Sequence, residues 1–150
     1  MAESLKNFLA PPTAAYVAHA ANLYKRLNMA DYIVRKSVFQ HDWYPSPNQC
    51  HQNCFNWVTL NPNDEMVNGW LCFDMSALGF YRFASHSVIR TFKNQLIDIT
   101  PTSIIASVPF LQDDLDGSFY DECIHLLFSA HGYTFLDHAI KDDVSLFINA

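Results

Sequence analysis

The stretch SPNQCHQNCFNW, residues 46–57, places two thiols next to a histidine and several amides. Such a stretch suits a cysteine nucleophile, a set of metal ligands, or small apolar residues of a core. Ser46 is predicted to cap a helix and Pro47 to be its first residue. Cys50 would then end the first turn, where the positive end of the helix favours a thiolate. Cys54 lies one turn later, so Cys50 is the predicted nucleophile and Cys54 a packing residue.

A cysteine nucleophile needs a base, and the base needs an orienting partner. His86, in FASHSVIR, is the predicted base because the small Ser85 and Ser87 beside it leave room for a substrate. Asp98, in NQLIDITP, is the predicted orienting group, since a carboxylate within an apolar strand needs a partner. The sequence therefore predicts a Cys-His-Asp triad.

The turn between the two strands decides whether His86 and Asp98 meet. A three-residue loop, Phe92-Lys93-Asn94 with Asn94 left-handed, places both side chains on one face, about one diagonal apart. A two-residue turn at Lys93-Asn94 would place them on opposite faces. The triad thus requires the longer loop.

The elements that must position these residues change in kind along the chain. Helical spacing of apolar residues predicts a helix from Ala14 to about Arg35, interrupted near Asn28, and the nucleophile helix is predicted to end near Thr59. Strands are predicted at 70–73, 80–90, 96–100, 103–110, 133–136 and 144–148, with a further helix at 122–129. This order predicts an α+β fold of one domain, 1–150, in which N-terminal helices, including the nucleophile-bearing one, pack on an antiparallel sheet. The helical segment is placed at 1–37 and the core at 38–150.

Composition restricts the classes of protein that the chain can be. Half of its 150 residues are hydrophobic and 16% are charged, which excludes disorder for most of the chain. The net charge is -6 and the nine Lys and Arg form no basic run, so no nucleic-acid partner is expected. No apolar stretch approaches the roughly 20 residues that span a bilayer, so no membrane partner is expected. The N-terminus is a poor signal peptide, which favours the cytoplasm, with delivery outside by a non-classical route as an alternative. The four cysteines are expected to be free thiols there.

Cysteine on a helix N-terminus, followed by histidine and aspartate on successive antiparallel strands, resembles the papain-like cysteine hydrolases. The transglutaminase-like and NlpC/P60-like branches share this order. More closely, C-x-x-N, GW, H-x-V and D-x-T-P resemble segments of small uncharacterised bacterial and phage proteins. In this chain these motifs are Cys50 with Asn53, Gly69-Trp70, His86 with Val88, and Asp98 with Thr100-Pro101. The resemblance covers residues 47–101 and implies a papain-like core.

The triad predicts a thiol hydrolase or acyl transferase that acts on an amide of a protein or peptide and needs no cofactor. Peptidase, protein-glutamine deamidase and peptide amidase activities all suit it. The oxyanion is expected to be held by the Cys50 backbone N–H and one side-chain donor. Tyr44, Asn48 and Trp70 are the candidate donors, and Asn53 either supports the site as a donor or braces it. Gln40 or Tyr44 would take the place of the glutamine that precedes the papain cysteine.

Two other classes of protein stay open. The aromatic content of 15% also suits a non-catalytic protein-interaction module with a papain-like fold. Cys50, Cys54 and His86 could instead bind zinc, although the cysteine spacing is unusual for such a site. A third, structural reading buries Cys50 and His86 in a core. The oligomeric state is not predicted.

Overall fold

The computed structural model describes residues 14–102, 107–114, 117–131 and 134–140. Within these ranges the chain forms three α-helices, seven strands and two short 3-10 turns, Leu27–Met29 and Ser76–Leu78. The helices are α1 (Ala14–Lys25), α2 (Cys50–Leu60) and α3 (Gly117–His131). The strands are β1 (Asp31–Tyr32), β2 (Val34–Arg35), β3 (Glu65–Met75), β4 (Phe80–Arg90), β5 (Leu96–Asp98), β6 (Pro109–Gln112) and β7 (Phe135–Ala139). The predicted α+β class is confirmed.

The strands form one curved sheet in the order β1-β6-β3-β4-β5-β2, with β7 also paired to β4. All pairs are antiparallel except β2 with β5. β1 and β2 lie at opposite ends of this order, yet only Ile33 separates them in the chain. One extended segment, 31–35, therefore joins the two ends of the sheet, which is nearly a barrel.

Helices cover the outer face of this sheet in two places. α1, α3 and β7 pack on a core that includes Trp70 of β3 and Phe83 of β4. α2 packs through Cys54 on Ile89, Ile97 and Ile99 at the β4–β5 side. Inside the curve, Val67, Val88 and Phe110 form a separate apolar cluster, and Ile33 packs against it. α2 thereby lies beside the strands that carry His86 and Asp98.

The prediction of a helix that reaches Arg35 is wrong. α1 ends at Lys25, and residues 31–35 belong to the sheet. Tyr32 pairs with Pro109, and Val34 pairs with Ile97. The helical spacing of apolar residues reports only on neighbours in sequence, so it cannot reveal pairing with distant strands. That tertiary pairing overrides the weak local helix propensity.

Other boundaries differ less. β3 is longer than the predicted 70–73, because all eleven of its residues pair with β4. β5 ends at Asp98, whereas β4 matches the predicted 80–90. Of the predicted strand 103–110, residues 103–106 lie outside the described residues, and β6 begins at Pro109. α3 begins before the predicted 122, and β7 replaces the predicted 133–136. The predicted strand 144–148 lies outside the described residues.

The loop between β4 and β5 is the three-residue loop on which the site depends. Thr91 and Gln95 close it, with the Thr91 N–H donating to the Gln95 carbonyl at 2.8 Å. Asn94 is left-handed, with φ 64°. This prediction is confirmed, and the register that follows places His86 and Asp98 on one face of the sheet.

Candidate active site

Cys50 is the first residue of α2, and not the end of its first turn. Gln49 is the N-cap, with no side-chain capping bond, so the prediction of Ser46 as cap and Pro47 as first helical residue is wrong. Instead, the Asn53 side chain holds the Ser46 backbone, accepting from its N–H at 3.0 Å and donating to its carbonyl at 2.8 Å. The sulfur is thus nearer the positive end of the helix than predicted.

His86 lies in the part of β4 whose edge opposite β3 is not paired with a described strand. β7 pairs with residues 80–84 of this strand and β5 pairs with residues 89 and 90. The N-terminus of α2 lies against this part of β4, and the His86 side chain interacts with the Cys50 thiol there. His86 Nε2 lies 2.8 Å from Asp98 Oδ2, which leaves Nδ1 to face the sulfur. The three predicted side chains therefore meet.

The environment of Cys50 and His86 favours charge on both groups. Burial by itself would raise the pKa of the Cys50 thiol, but hydrogen bonds and charge from His51 and His86 outweigh it and lower that pKa to about 6. Burial would lower the pKa of His86, but Asp98 and Cys50 raise it to about 9. A thiolate–imidazolium pair follows at neutral pH.

Asp98 is itself fixed in place by the motif that follows it. Its Oδ1 accepts from the Thr100 N–H at 3.1 Å, while Oδ2 faces His86. The Thr100 hydroxyl accepts in turn from Asn53 Nδ2 at 3.1 Å. Asn53 therefore braces α2 against the aspartate strand and is not aimed at the sulfur. The C-x-x-N motif and the D-x-T-P motif are therefore joined by the hydrogen bond between Asn53 and Thr100.

A second imidazole, His51, was not among the predicted site residues. Its side chain interacts with the Cys50 thiol, and its Nδ1 is hydrogen-bonded to Ser87 Oγ. Ser87 Oγ donates to Asn68 Oδ1 at 2.7 Å. Ser87 is fully buried, so the prediction that it leaves space for a substrate is wrong. The available signal was the position of His51, directly after the nucleophile.

The triad opens into a cleft of about 900 Å³. Asn48, Gln49 and Gln52 line it from the start of α2. The rest of its wall comes mainly from the 31–35 segment, β4, Asp98 with the residues that follow it, and the residues before β6. Of the predicted oxyanion donors, only Asn48 lies in this cleft. Gln49 and Gln52 are further amides that the sequence reasoning missed.

Trp70 and Tyr44 are not oxyanion donors in this structure. The Trp70 side chain is fully buried, and its indole N–H donates to Asp113 Oδ1 at 2.8 Å. Tyr44 is 69% exposed and lies outside the cleft wall. Gln40 accepts from Asn61 Nδ2, so it does not supply the glutamine of papain either.

The zinc arrangement is not supported by the geometry. Cys54 is fully buried among isoleucines, and burial raises its pKa, which opposes the thiolate that zinc requires. Among residues that the structure describes, the only three ligand side chains that converge are His19, Asp113 and Asp114. Cys50, Cys54 and His86 do not form such a group.

Comparison with known protein families, with curated proteins and with solved structures gives no match. In the described part of the chain, no helix has the length and apolar character needed to cross a membrane.

Proposed function

We propose that the chain is a thiol hydrolase or acyl transferase with a papain-like arrangement of its site. The observation that carries this proposal is the line formed by the Cys50 sulfur, the His86 imidazole and the Asp98 carboxylate at the wall of a cleft. A lowered thiol pKa beside a raised imidazole pKa is the pattern expected of an activated nucleophile. A protein or peptide amide is the proposed substrate.

Cys50, His86 and Asp98 each have a separate role in the reaction. The Cys50 thiolate attacks the carbonyl carbon and forms a C–S bond. His86 gives its proton to the leaving nitrogen as the C–N bond breaks. Water then attacks the thioester while His86 takes one of its protons, and the thiolate departs. Asp98 orients the imidazole and stabilises its charged form in both halves of the cycle. In a transferase, an amine or alcohol takes the place of water.

The start of α2 supplies donors for the oxyanion. The Cys50 N–H belongs to the first turn, whose N–H groups have no acceptor within the helix. The amide side chains of Asn48, Gln49 and Gln52 line the same cleft. One of them is proposed as the second donor, and Gln49 is the nearest to Cys50 along the chain. Such a donor contributes roughly a factor of 100 to 1000 to turnover.

The test combines trapping with isotope labelling. The protein is incubated with a pool of synthetic peptides in heavy-oxygen water and analysed by mass spectrometry. A peptidase places one heavy oxygen on a new C-terminus, a deamidase places it on the glutamate side chain formed from a glutamine, and a transferase joins two peptides. Each outcome requires loss of the signal in Cys50→Ala, with His125→Ala as the matched surface control. An unreactive Cys50 and unchanged peptides would contradict the proposal.

A non-catalytic interaction module is the second candidate. Phe39 and Tyr44 are 67% and 69% exposed, and their rings stack with centroids 6.5 Å apart. Exposed aromatic pairs are typical of contact surfaces. If the wild type turns over no peptide while Phe39→Ala abolishes capture of a partner, this second candidate replaces the first.

A further inference from the structure

The geometry points to His51 as a second imidazole that ionises the Cys50 thiol, so that the nucleophile does not depend on His86 alone. This inference deepens the proposed function and rests on it. It assigns His51 the proton of the thiol, and it leaves to His86 the proton of the leaving group.

The hydrogen bonds of Ser87 fix which nitrogen of His51 is available. A hydroxyl has one proton, and that of Ser87 is donated to Asn68 Oδ1. Ser87 Oγ must therefore accept from His51, and the bonded nitrogen is Nδ1. Neutral His51 thus carries its proton on Nδ1 and presents an unprotonated Nε2. The side chain also contacts the Cys50 sulfur, so Nε2 is the atom that faces it.

Proton transfer along this contact balances simply. The S–H bond of Cys50 breaks, its electron pair stays on sulfur, and the proton passes to His51 Nε2. The resulting imidazolium donates Nδ1–H to Ser87 and Nε2–H to the thiolate. Both N–H groups of the ring then have hydrogen-bond acceptors. His86 keeps its own proton for the leaving nitrogen.

Among the described residues, the His51 ring packs beside Tyr120 and is hydrogen-bonded to Ser87. Tyr120 of α3 stands edge-on to it, with ring centroids 5.9 Å apart. Burial raises the Tyr120 pKa well above its ordinary value, and its hydroxyl donates to the Gly69 carbonyl, so it is neutral. The other imidazole, that of His86 on β4, also contacts the Cys50 sulfur. Asp98 of β5 lies behind that imidazole, with its Oδ2 2.8 Å from His86 Nε2. Ser87 of β4 is hydrogen-bonded to the His51 ring, and Asn68 of β3 is hydrogen-bonded to Ser87.

The decisive measurement is the pH dependence of Cys50 alkylation by iodoacetamide in the full chain. The other three thiols are buried and their pKa values are raised, so they do not compete. His51→Ala and His86→Ala should each move the midpoint upward by about one to two pH units, as loss of a hydrogen bond to a charged group predicts. The double variant should reach about 8.5 or higher. His125→Ala, on the exposed face of α3, should match the wild type.

Two results would overturn the inference. One is a His51→Ala profile that overlays the wild type, and the other is a His86→Ala midpoint already equal to that of the double variant. If circular dichroism shows that His51→Ala does not fold, Ser87→Ala takes its place. That variant should shift the midpoint in the same direction, and an unchanged midpoint would contradict the connection through Ser87.

Turnover separates this inference from the proposed function. Activity of His51→Ala on a cleaved peptide should fall about tenfold or more at pH 6 to 7 and recover toward pH 9, because alkali restores the thiolate. His86→Ala should not recover, since its leaving-group acid is gone. If wild-type Cys50 is ionised near pH 6 but no peptide reacts, the hydrolase proposal fails and the two-imidazole arrangement stands. If the wild type turns over a peptide but His51→Ala has no effect on that turnover, the hydrolase proposal stands and the two-imidazole arrangement fails.

Discussion

Cys50 and His86 each hold a charge that burial opposes. Taken out of water alone, the thiol would stay protonated and the imidazole neutral. Together, and with Asp98 behind the imidazole, both become charged, and the pKa values separate to about 6 and about 9. The reactive state, thiolate with imidazolium, therefore occupies a window between these two values.

This window predicts a bell-shaped dependence of kcat/KM on pH. The thiolate forms as the pH rises through about 6, and the acid on His86 is lost as the pH rises through about 9. Initial rates on a cleaved peptide, measured from pH 4 to pH 10, should show both limbs. A single rising limb near the ordinary thiol value, about 8.5, would mean that the two groups are not coupled.

Asp98→Asn tests the carboxylate behind the imidazole. The amide can hydrogen-bond to the ring but carries no charge to stabilise the imidazolium, so the His86 pKa should fall. Turnover should fall by up to about 10,000-fold, the loss expected when the carboxylate of such a triad is replaced by an amide. Proton NMR of the His86 ring reports the pKa directly. Asp42→Asn is the matched control, because Asp42 is exposed and left-handed, a conformation that asparagine tolerates. Equal pKa values in the two variants would contradict the role of Asp98.

At the scale of elements, one asparagine joins the helix of the nucleophile to the strand of the aspartate. The buried Asn53 side chain bonds the Ser46 backbone and the Thr100 hydroxyl. The segment before α2 and the start of α2 therefore keep a fixed position relative to Thr100, which is distant from both in sequence. The relative placement of Cys50 and Asp98 depends on this amide.

Asn53→Ala should destabilise the fold by about 1–3 kcal/mol, because it leaves buried partners of the amide unsatisfied. Urea unfolding followed by tryptophan fluorescence measures the change. The control is Gln52→Ala, one residue earlier on the exposed side of α2, which should stay within about 0.5 kcal/mol of the wild type. The Cys50 alkylation midpoint should also rise in Asn53→Ala. Equal stability of the two variants would show that the brace contributes nothing.

The parts of the site that a local turn sets could be predicted from the sequence, and the parts that contacts between distant elements set could not. Asparagine at position 94 favours a left-handed backbone conformation in the loop. That loop alone places His86 and Asp98 on the same face of the sheet. The sequence predicts too early a start for α2. Asn53, a residue within the helix, is hydrogen-bonded to the Ser46 backbone, which lies before the helix. The contact of His51 with Ser87 requires the position of a helix on a sheet. Ser87 meets Asn68 only through the β3–β4 register, in which the two residues pair.

At the scale of the whole molecule, the segment 31–35 connects the two ends of the sheet. Ile33 packs inward against Val67, Val88 and Phe110, while the next residue, Val34, is 54% exposed. Both line the cleft of the triad. The same contact therefore closes the sheet and shapes the site.

Ile33→Ala should destabilise the fold by about 2 kcal/mol, since it removes three carbons from a partly buried packing contact. Val34→Ala is the matched control and should change stability by at most about 0.5 kcal/mol. Thermal unfolding by circular dichroism measures both. If Val34→Ala costs as much as Ile33→Ala, the inward packing of the segment does not stabilise the closure.

Sheets that end in bare strands offer unpaired N–H and C=O groups to any extended chain, which is a common route to aggregation. Here β1 pairs with β6 and β2 pairs with β5, so a single five-residue segment occupies both lateral margins of the described sheet. Detachment of that segment would expose both margins at once. We therefore expect conditions that loosen residues 31–35 to promote self-association before the rest of the fold is lost.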